Sequence, residues 1–138
     1  MVKRKNVSIY DDTDPPDGGQ GRVKIKRRTP IYGKEAVLTA AAGRITPWTR
    51  RCVRNVLDLG FDDDDLAQLV TEALRNGRYK DSEWCEQTDD GPWAACDAYV
   101  LRRREWNHNA FKHLEFEYYI KFAIAKTGQV LLLVSCHT

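Results

Sequence analysis

Apolar residues recur at helical spacing in the first half of the chain and at alternating positions in the second, and the pattern changes at Gly77. The first half predicts three helices, because helix formers and capping residues frame each segment. These are residues 33–42 before Gly43, the segment from Thr46-Pro47 to Gly60, and the segment from the aspartates 62–65 to Gly77. The aspartates cap the third helix at its positive dipole end, which favours a structural role over a metal site.

The second half predicts strands at residues 79–83, 93–101, 114–125 and 130–136. In the third of these, apolar residues alternate with polar ones, so one face packs on the helices and the other meets water or a substrate. Tyr119 and Lys121 lie on the polar face. The fold class is therefore α+β, an antiparallel sheet of about four to six strands with an N-terminal layer of three helices.

The domain organisation follows from length and composition. A chain of 138 residues suits one core. Residues 11–21 hold two prolines, three glycines and four aspartates, which is typical of a weakly ordered linker. We therefore expect a flexible extension at residues 1–25 and a single domain at residues 26–138. Val23 and Ile25 alternate with basic residues, which leaves a short edge strand open as an alternative.

Charge is unevenly distributed along the chain, although its net value is only +2. The first 54 residues are basic, Arg102, Arg103 and Arg104 form a second basic cluster, and residues 62–65 and 83–90 are acidic. Clustered cations suit a polyanion, because neutralising phosphates releases counterions, and a solvated charged surface is the alternative.

Cellular location and cofactors are constrained by what the sequence contains. No apolar run reaches the roughly 18 residues of a membrane span, and no apolar core follows the N-terminal basic residues, so we expect a cytoplasmic protein. The four cysteines are widely spaced, which favours reduced thiols. His108 and His113 have no recognised ligand spacing to them, so neither a metal nor another cofactor is expected.

A series of short motifs, in one order, resembles a known family. The motifs are Lys26-Arg27-Arg28-Thr29-Pro30-Ile31-Tyr32, Arg44-Ile45-Thr46-Pro47, Leu57-Asp58-Leu59-Gly60-Phe61, Arg78-Tyr79-Lys80, Trp93, Asp97, Tyr99 and Glu117-Tyr118-Tyr119-Ile120-Lys121-Phe122. Together they make residues 26–138 similar to the MqsR family of toxins, small RelE-like ribonucleases encoded beside an antitoxin. The resemblance implies a RelE-like fold and a metal-independent, sequence-specific endoribonuclease that cuts single-stranded mRNA and arrests growth. It also implies a cognate antitoxin with a helix-turn-helix domain.

Matching the family pattern position by position implies three catalytic residues. Lys80 follows Tyr79 as in the motif and corresponds to a lysine that stabilises the phosphate. Tyr119 precedes Ile120-Lys121 and corresponds to the site tyrosine. His137 replaces a family lysine, and an imidazole is well suited to exchange protons at neutral pH. Lys121 and the cluster at residues 102–104 are expected to bind backbone phosphates.

Two positions depart from the family pattern. Ala94 follows Trp93 where the family has a glutamine, and counting back from Asp97 places Cys96 there instead. Gln87 on the preceding loop is a candidate substitute for the missing amide. These departures motivate an alternative function, a catalytically inactive module that binds nucleic acid or a partner. A third possibility is an adaptor that binds another protein through residues 1–25.

The turn at residues 126–129 decides whether His137 reaches Tyr119. A loop of two residues at Thr127-Gly128 pairs Tyr119 with Cys136 and turns His137 to the opposite face, whereas a loop of three residues pairs Tyr119 with His137. The sequence leaves both registers open.

Overall fold

The computed structural model describes residues 5–17 and 21–138. In these residues it contains six strands and three helices. In chain order they are β1 (Arg22–Ile25), α1 (Lys34–Gly43), β2 (Ile45–Pro47), α2 (Arg50–Leu59), α3 (Asp63–Asn76), β3 (Arg78–Glu86), β4 (Trp93–Asn107), β5 (Lys112–Ile124) and β6 (Leu131–His137). The predicted α+β class is confirmed. None of the helices in the described part of the chain has the length and apolar character needed to cross a bilayer.

The strands form one sheet in the order β1-β3-β4-β5-β6-β2. All neighbouring strands are antiparallel except β2, which runs parallel to β6 at one edge. Strand β2 corrects the prediction that Thr46 caps a helix, because Thr46 lies opposite Leu132 in this edge pairing. The cap of α2 is Thr49, whose side chain accepts a hydrogen bond from the Cys52 amide at 3.1 Å.

The third helix starts as the sequence predicts. Asp62 and Asp65 form a reciprocal capping box, in which each side chain accepts a hydrogen bond from the other residue's backbone amide. Two further aspartates in the first turn, Asp63 and Asp64, add negative charge at the positive end of the helix dipole. The aspartates therefore have the structural role expected of them.

The two faces of β5 divide the molecule into a packed side and an open side. Tyr118, Ile120 and Phe122 are buried, and Tyr118 contacts Phe61 in the α2 to α3 connection at a ring separation of 6.2 Å. This is the helix side of the sheet. Tyr119 and Lys121 alternate with them and point to the other side, as the sequence pattern predicts.

Part of the segment predicted as a flexible extension packs into the sheet. Asn6 and Ser8 form bridges to Trp93 and Ala125, so this segment lies between the start of β4 and the end of β5. The Ser8 hydroxyl accepts a hydrogen bond from the buried Ala95 amide at 3.0 Å, and Tyr10 is buried. The prediction of a flexible extension at residues 1–25 is therefore wrong for residues 6–10. Strands β4 and β5 diverge there and leave backbone groups that need hydrogen-bond partners, which this segment supplies.

The remainder of that segment has two parts. Strand β1 pairs with β3, which confirms the edge strand proposed for Val23 and Ile25. Residues 11–14 and 17 are exposed and belong to no helix or strand. Of the predicted linker at residues 11–21, residues 18–20 lie outside the described residues.

Candidate functional site

Tyr119 and His137 stack on the open side of the sheet. Their ring centroids are 5.3 Å apart and the ring planes differ by 24°. The two residues lie directly opposite each other on β5 and β6. Of the two registers that the sequence leaves open, the structure has the one that pairs Tyr119 with His137 and not with Cys136.

A β-bulge sets this register, and neither of the two predicted loops does so by itself. Close to the turn, Ile124 lies opposite Leu131, which would continue to Tyr119 opposite Cys136 in a regular ladder. The pairing shifts by one residue between Lys121 and Phe122, and Val134 is the additional residue on β6. Such bulges change the direction of side chains and are common beside active sites.

A second bulge brings Lys80 to the same ring. Tyr79 lies opposite Tyr99 while Asp81 lies opposite Ala98, so Lys80 is the additional residue on β3. The Lys80 ammonium lies 4.9 Å from the centroid of the Tyr119 ring. The three predicted catalytic residues, Lys80, Tyr119 and His137, therefore lie together, although they come from three different strands.

A buried ion pair lies beneath the Tyr119 ring. The Lys121 ammonium lies 3.0 Å from a Glu83 carboxylate oxygen and 5.7 Å from the Tyr119 ring centroid. Burial by itself lowers the pKa of Lys121, but its neighbours Cys85, Tyr119 and Glu83 outweigh burial and raise that pKa above the ordinary value. Lys121 is thus charged and held by Glu83, which differs from the expected direct contact with a flanking phosphate.

Burial raises the pKa of Tyr119, and the nearby Lys121 ammonium opposes this increase. The phenol therefore keeps its proton at neutral pH. A buried cation close to a phenol also stabilises the phenolate that forms if the proton leaves.

Two adjoining cavities surround these residues. The first, of about 330 Å³, is lined by Arg22, Lys24, Lys80, Asp81, Glu83 and Tyr119. The second, of about 440 Å³, is lined by residues of β1, β3, β5, β6, the start of α2 and the β3 to β4 connection, among them Arg22, Arg50, Arg51, Arg54, Gln87 and Lys121. Arg22 lines both cavities. Two of the catalytic candidates, Lys80 and Tyr119, therefore line the smaller cavity, beside a larger one rich in arginine.

The remaining predicted substrate contacts are only partly placed at this site. Gln87 lines the larger cavity, where its side-chain amide donates a hydrogen bond to the Trp48 carbonyl at 2.7 Å. Cys96 is completely buried, and its thiol contacts the Ala94 carbonyl at 3.5 Å. The prediction that Cys96 contacts substrate is corrected, because Cys96 belongs to the buried core cluster and is closed to a substrate.

The arginine cluster at residues 102–104 divides between the two faces of the sheet. Arg102 shares the open face with Tyr119, and its guanidinium lies 3.3 Å from Glu117 and 3.9 Å from Glu115. Arg104 is exposed on the same face. Arg103 lies on the helix side, 3.4 Å from Glu72 of α3. The prediction that Arg103 contacts RNA is therefore corrected, because successive strand residues point to opposite faces of the sheet.

Asp97 and Tyr32, two residues of the motifs given above, hold the structure behind the site together. The Asp97 carboxylate accepts hydrogen bonds from the Ile31 and Tyr32 amides, each at 3.0 Å, and from the Ser82 hydroxyl at 2.6 Å. Tyr32 in turn donates its hydroxyl to the Ala95 carbonyl at 2.6 Å. These bonds fix the segment before α1 against β3 and β4, and so they hold the strand that carries Lys80.

Several site residues were not selected from the sequence. Arg22, Lys24, Asp81 and Glu83 line the smaller cavity. The only signal for the basic ones was the charge of the first 54 residues, which does not identify individual positions. Within residues 5–17 and 21–138, no three or more His, Cys, Asp or Glu side chains are grouped to hold a metal ion.

Comparison with known proteins identifies no relative: no protein family, curated protein or solved structure matches the chain.

Proposed function

We propose that this protein is a cytoplasmic, metal-independent endoribonuclease that resembles the MqsR toxins. It cleaves single-stranded mRNA at a preferred sequence and thereby arrests the growth of the cell. The observation that carries the proposal is the stack of His137 on Tyr119 with the Lys80 ammonium 4.9 Å from the same ring. Two groups able to exchange protons and one cation are what RNA transesterification requires.

The reaction joins the 2′-oxygen to phosphorus and breaks the bond from phosphorus to the 5′-oxygen. In our proposal His137 accepts the proton of the 2′-hydroxyl. Tyr119, which burial keeps protonated, donates a proton to the departing 5′-oxygen, and Lys121 beneath the ring stabilises the transient phenolate. Lys80 stabilises the negative charge of the phosphorane. The products are a 2′,3′-cyclic phosphate and a 5′-hydroxyl.

The test is induction of the protein in cells, followed by mapping of RNA 5′ ends across the transcriptome. Tyr119→Phe is the matched control, because it keeps the ring and its stack while removing the exchangeable proton. We expect growth arrest and cuts that share a short motif with the wild type, and neither with the variant. Purified protein is then given RNA in the presence of a chelator, where cleavage is expected to persist.

Two other results would count against the proposal. A stable, expressed protein that leaves growth and transcripts unchanged would favour an inactive binding module, particularly if it retains RNA without cutting it. Equal cleavage by wild type and Tyr119→Phe would reject the assigned site. By the same resemblance we propose a cognate antitoxin with a helix-turn-helix domain, and co-expression with the product of a neighbouring gene should restore growth.

A further inference from the structure

The larger cavity beside Tyr119 has an unusual concentration of arginine. Arg50, Arg51 and Arg54 enter it from the first turns of α2, and Arg22 enters it from β1 on the opposite edge of the sheet. Helical spacing of three and four residues places Arg54 beside Arg51 and Arg50. Four guanidinium groups from segments far apart in sequence therefore line one cavity.

The charges of this cavity are only partly balanced by the described part of the protein. Among residues 5–17 and 21–138, the arginines that form ion pairs are Arg102 and Arg103, which lie outside this cavity. Lys121 at the cavity is compensated by Glu83, and Glu86 is the one carboxylate among the lining residues. Four arginines against one carboxylate leave a net positive cavity that suits an anion with several charges.

The position of these arginines also opposes the helix dipole. The first turn of α2 contains no acidic residue and begins with Arg50 and Arg51, whereas the first turn of α3 contains three aspartates. Cations at the positive end of a helix destabilise it. The arginines at the start of α2 therefore destabilise the unbound protein. An anion bound in the neighbouring cavity would offset their repulsion from the helix dipole, which explains their position.

We propose that this cavity binds the backbone phosphates of the RNA strand next to the bond that is cut. The guanidinium groups of Arg50, Arg51, Arg54 and Arg22 contact phosphate oxygens, and the strand passes from there to Tyr119 through the adjoining smaller cavity. The identity of the anion as RNA rests on the proposed function. The presence of a phosphate-binding cavity does not, since it follows from the charges alone.

Binding is measured by fluorescence anisotropy with a short labelled 2′-O-methyl oligoribonucleotide of mixed sequence, which lacks the attacking hydroxyl and cannot be cleaved. The variant Arg51→Ala/Arg54→Ala is compared with Arg44→Ala/Arg75→Ala, which removes the same charge from exposed positions outside the cavity. Circular dichroism checks that both variants are folded. The salt dependence of the binding constant is recorded for each protein.

We expect the cavity variant to bind the oligonucleotide more weakly. The negative slope of log binding constant against log salt concentration should become shallower by about 0.7 for each phosphate contact that is lost. The control variant should keep the wild-type slope. Equal slopes for the two variants, or wild-type protein that does not bind the oligonucleotide, would overturn the inference. Binding through the cavity without cleavage of ordinary RNA would overturn the proposed reaction and leave the phosphate cavity standing.

Inorganic phosphate, added as a competitor, separates a polyanion from a small ligand. Displacement of the oligonucleotide only at phosphate concentrations that act through general salt screening agrees with an extended strand. Displacement at low phosphate concentration, with no effect from the same ionic strength of chloride, would assign the cavity to a small phosphorylated ligand and contradict the proposal.

Discussion

The ring of His137 stacks on the ring of Tyr119 at 5.3 Å because Val134 is an additional residue in β6. Without that bulge the ladder that begins at the turn would place Cys136 opposite Tyr119. A local irregularity in one strand therefore decides which side chain, a thiol or an imidazole, meets the tyrosine. The chemistry of the open face depends on this relationship.

Replacement of His137 separates stacking from proton exchange. His137→Phe keeps an aromatic ring on Tyr119, so we expect a free energy of unfolding within about 0.5 kcal/mol of wild type, as for surface substitutions. Because the ring has no exchangeable proton, RNA cleavage should fall by about 10²- to 10⁴-fold. The measurement is single-turnover cleavage of RNA alongside urea unfolding.

His137→Lys provides the matched comparison, because lysine occupies this position in the MqsR-like pattern. It should retain more cleavage than His137→Phe. Similar cleavage by wild type and the phenylalanine variant would remove His137 from the mechanism.

The buried pair Glu83 and Lys121 should be sensitive to loss of one partner. Glu83→Gln leaves the Lys121 ammonium buried without its carboxylate, so we expect a destabilisation of about 3–5 kcal/mol in urea unfolding. The double variant Glu83→Gln/Lys121→Met removes the charge as well and should recover much of that loss. A single variant as stable as wild type would show that water already solvates Lys121.

The buried Ser8 hydroxyl should contribute to stability although it lies near the N-terminus. Ser8→Ala leaves the Ala95 amide without its acceptor, which should cost about 1–3 kcal/mol. Asp12→Ala, at an exposed position in the same segment, is the control and should change stability little. Equal stability of Ser8→Ala and wild type, together with fast amide exchange at Ala95, would indicate that residues 5–10 do not stay in the sheet.

The carboxylate of Asp97 should make stability depend on pH in a defined direction. Burial raises the pKa of Asp97 above its ordinary value of 3.8, so the folded protein binds this proton more tightly than the unfolded chain. Its contribution is largest below the ordinary pKa and decreases as pH rises through the raised value. The stability advantage of wild type over Asp97→Asn should therefore be larger at about pH 4 than at about pH 7.

At both values Asp97→Asn should be the less stable protein, by about 1–3 kcal/mol, because an amide nitrogen cannot accept the hydrogen bond from the Tyr32 amide. Urea unfolding over this pH range measures both effects. An advantage that grows with pH would contradict the raised pKa.

Reversal of one charge at the start of α2 should stabilise the unbound protein. Arg51→Glu places a carboxylate at the positive end of the helix dipole, so we expect a gain of about 0.3–1 kcal/mol at low salt. Asp64→Lys at the start of α3 is the mirror control and should lose a similar amount. The gain should shrink at high salt. No gain from Arg51→Glu would remove the argument that these arginines oppose the dipole.

Local patterns in the sequence were sufficient for much of the fold. Periodicity identified the three helices, and the aspartates identified the start of α3, because both signals depend on residues three and four apart. Alternation in β5 placed Tyr119 on the open face, since successive strand residues must point to opposite sides. The wrong prediction of a helix cap at Thr46 also came from a local pattern, because threonine is a good capping residue. Its pairing with β6, which places it in β2, depends on a distant segment.

The tertiary structure decided what depends on distant partners. The bulges at Lys80 and Val134 adjust three strands so that Lys80, Tyr119 and His137 meet, and no local pattern encodes that adjustment. The place of residues 6–10 follows from unsatisfied backbone groups where β4 and β5 diverge. Arg22 and Arg54 share a cavity because the sheet order brings β1 and α2 to it. Residue types and faces are properties of the local chain, whereas register, bulges and cavities arise when remote segments satisfy one another's hydrogen bonds and packing.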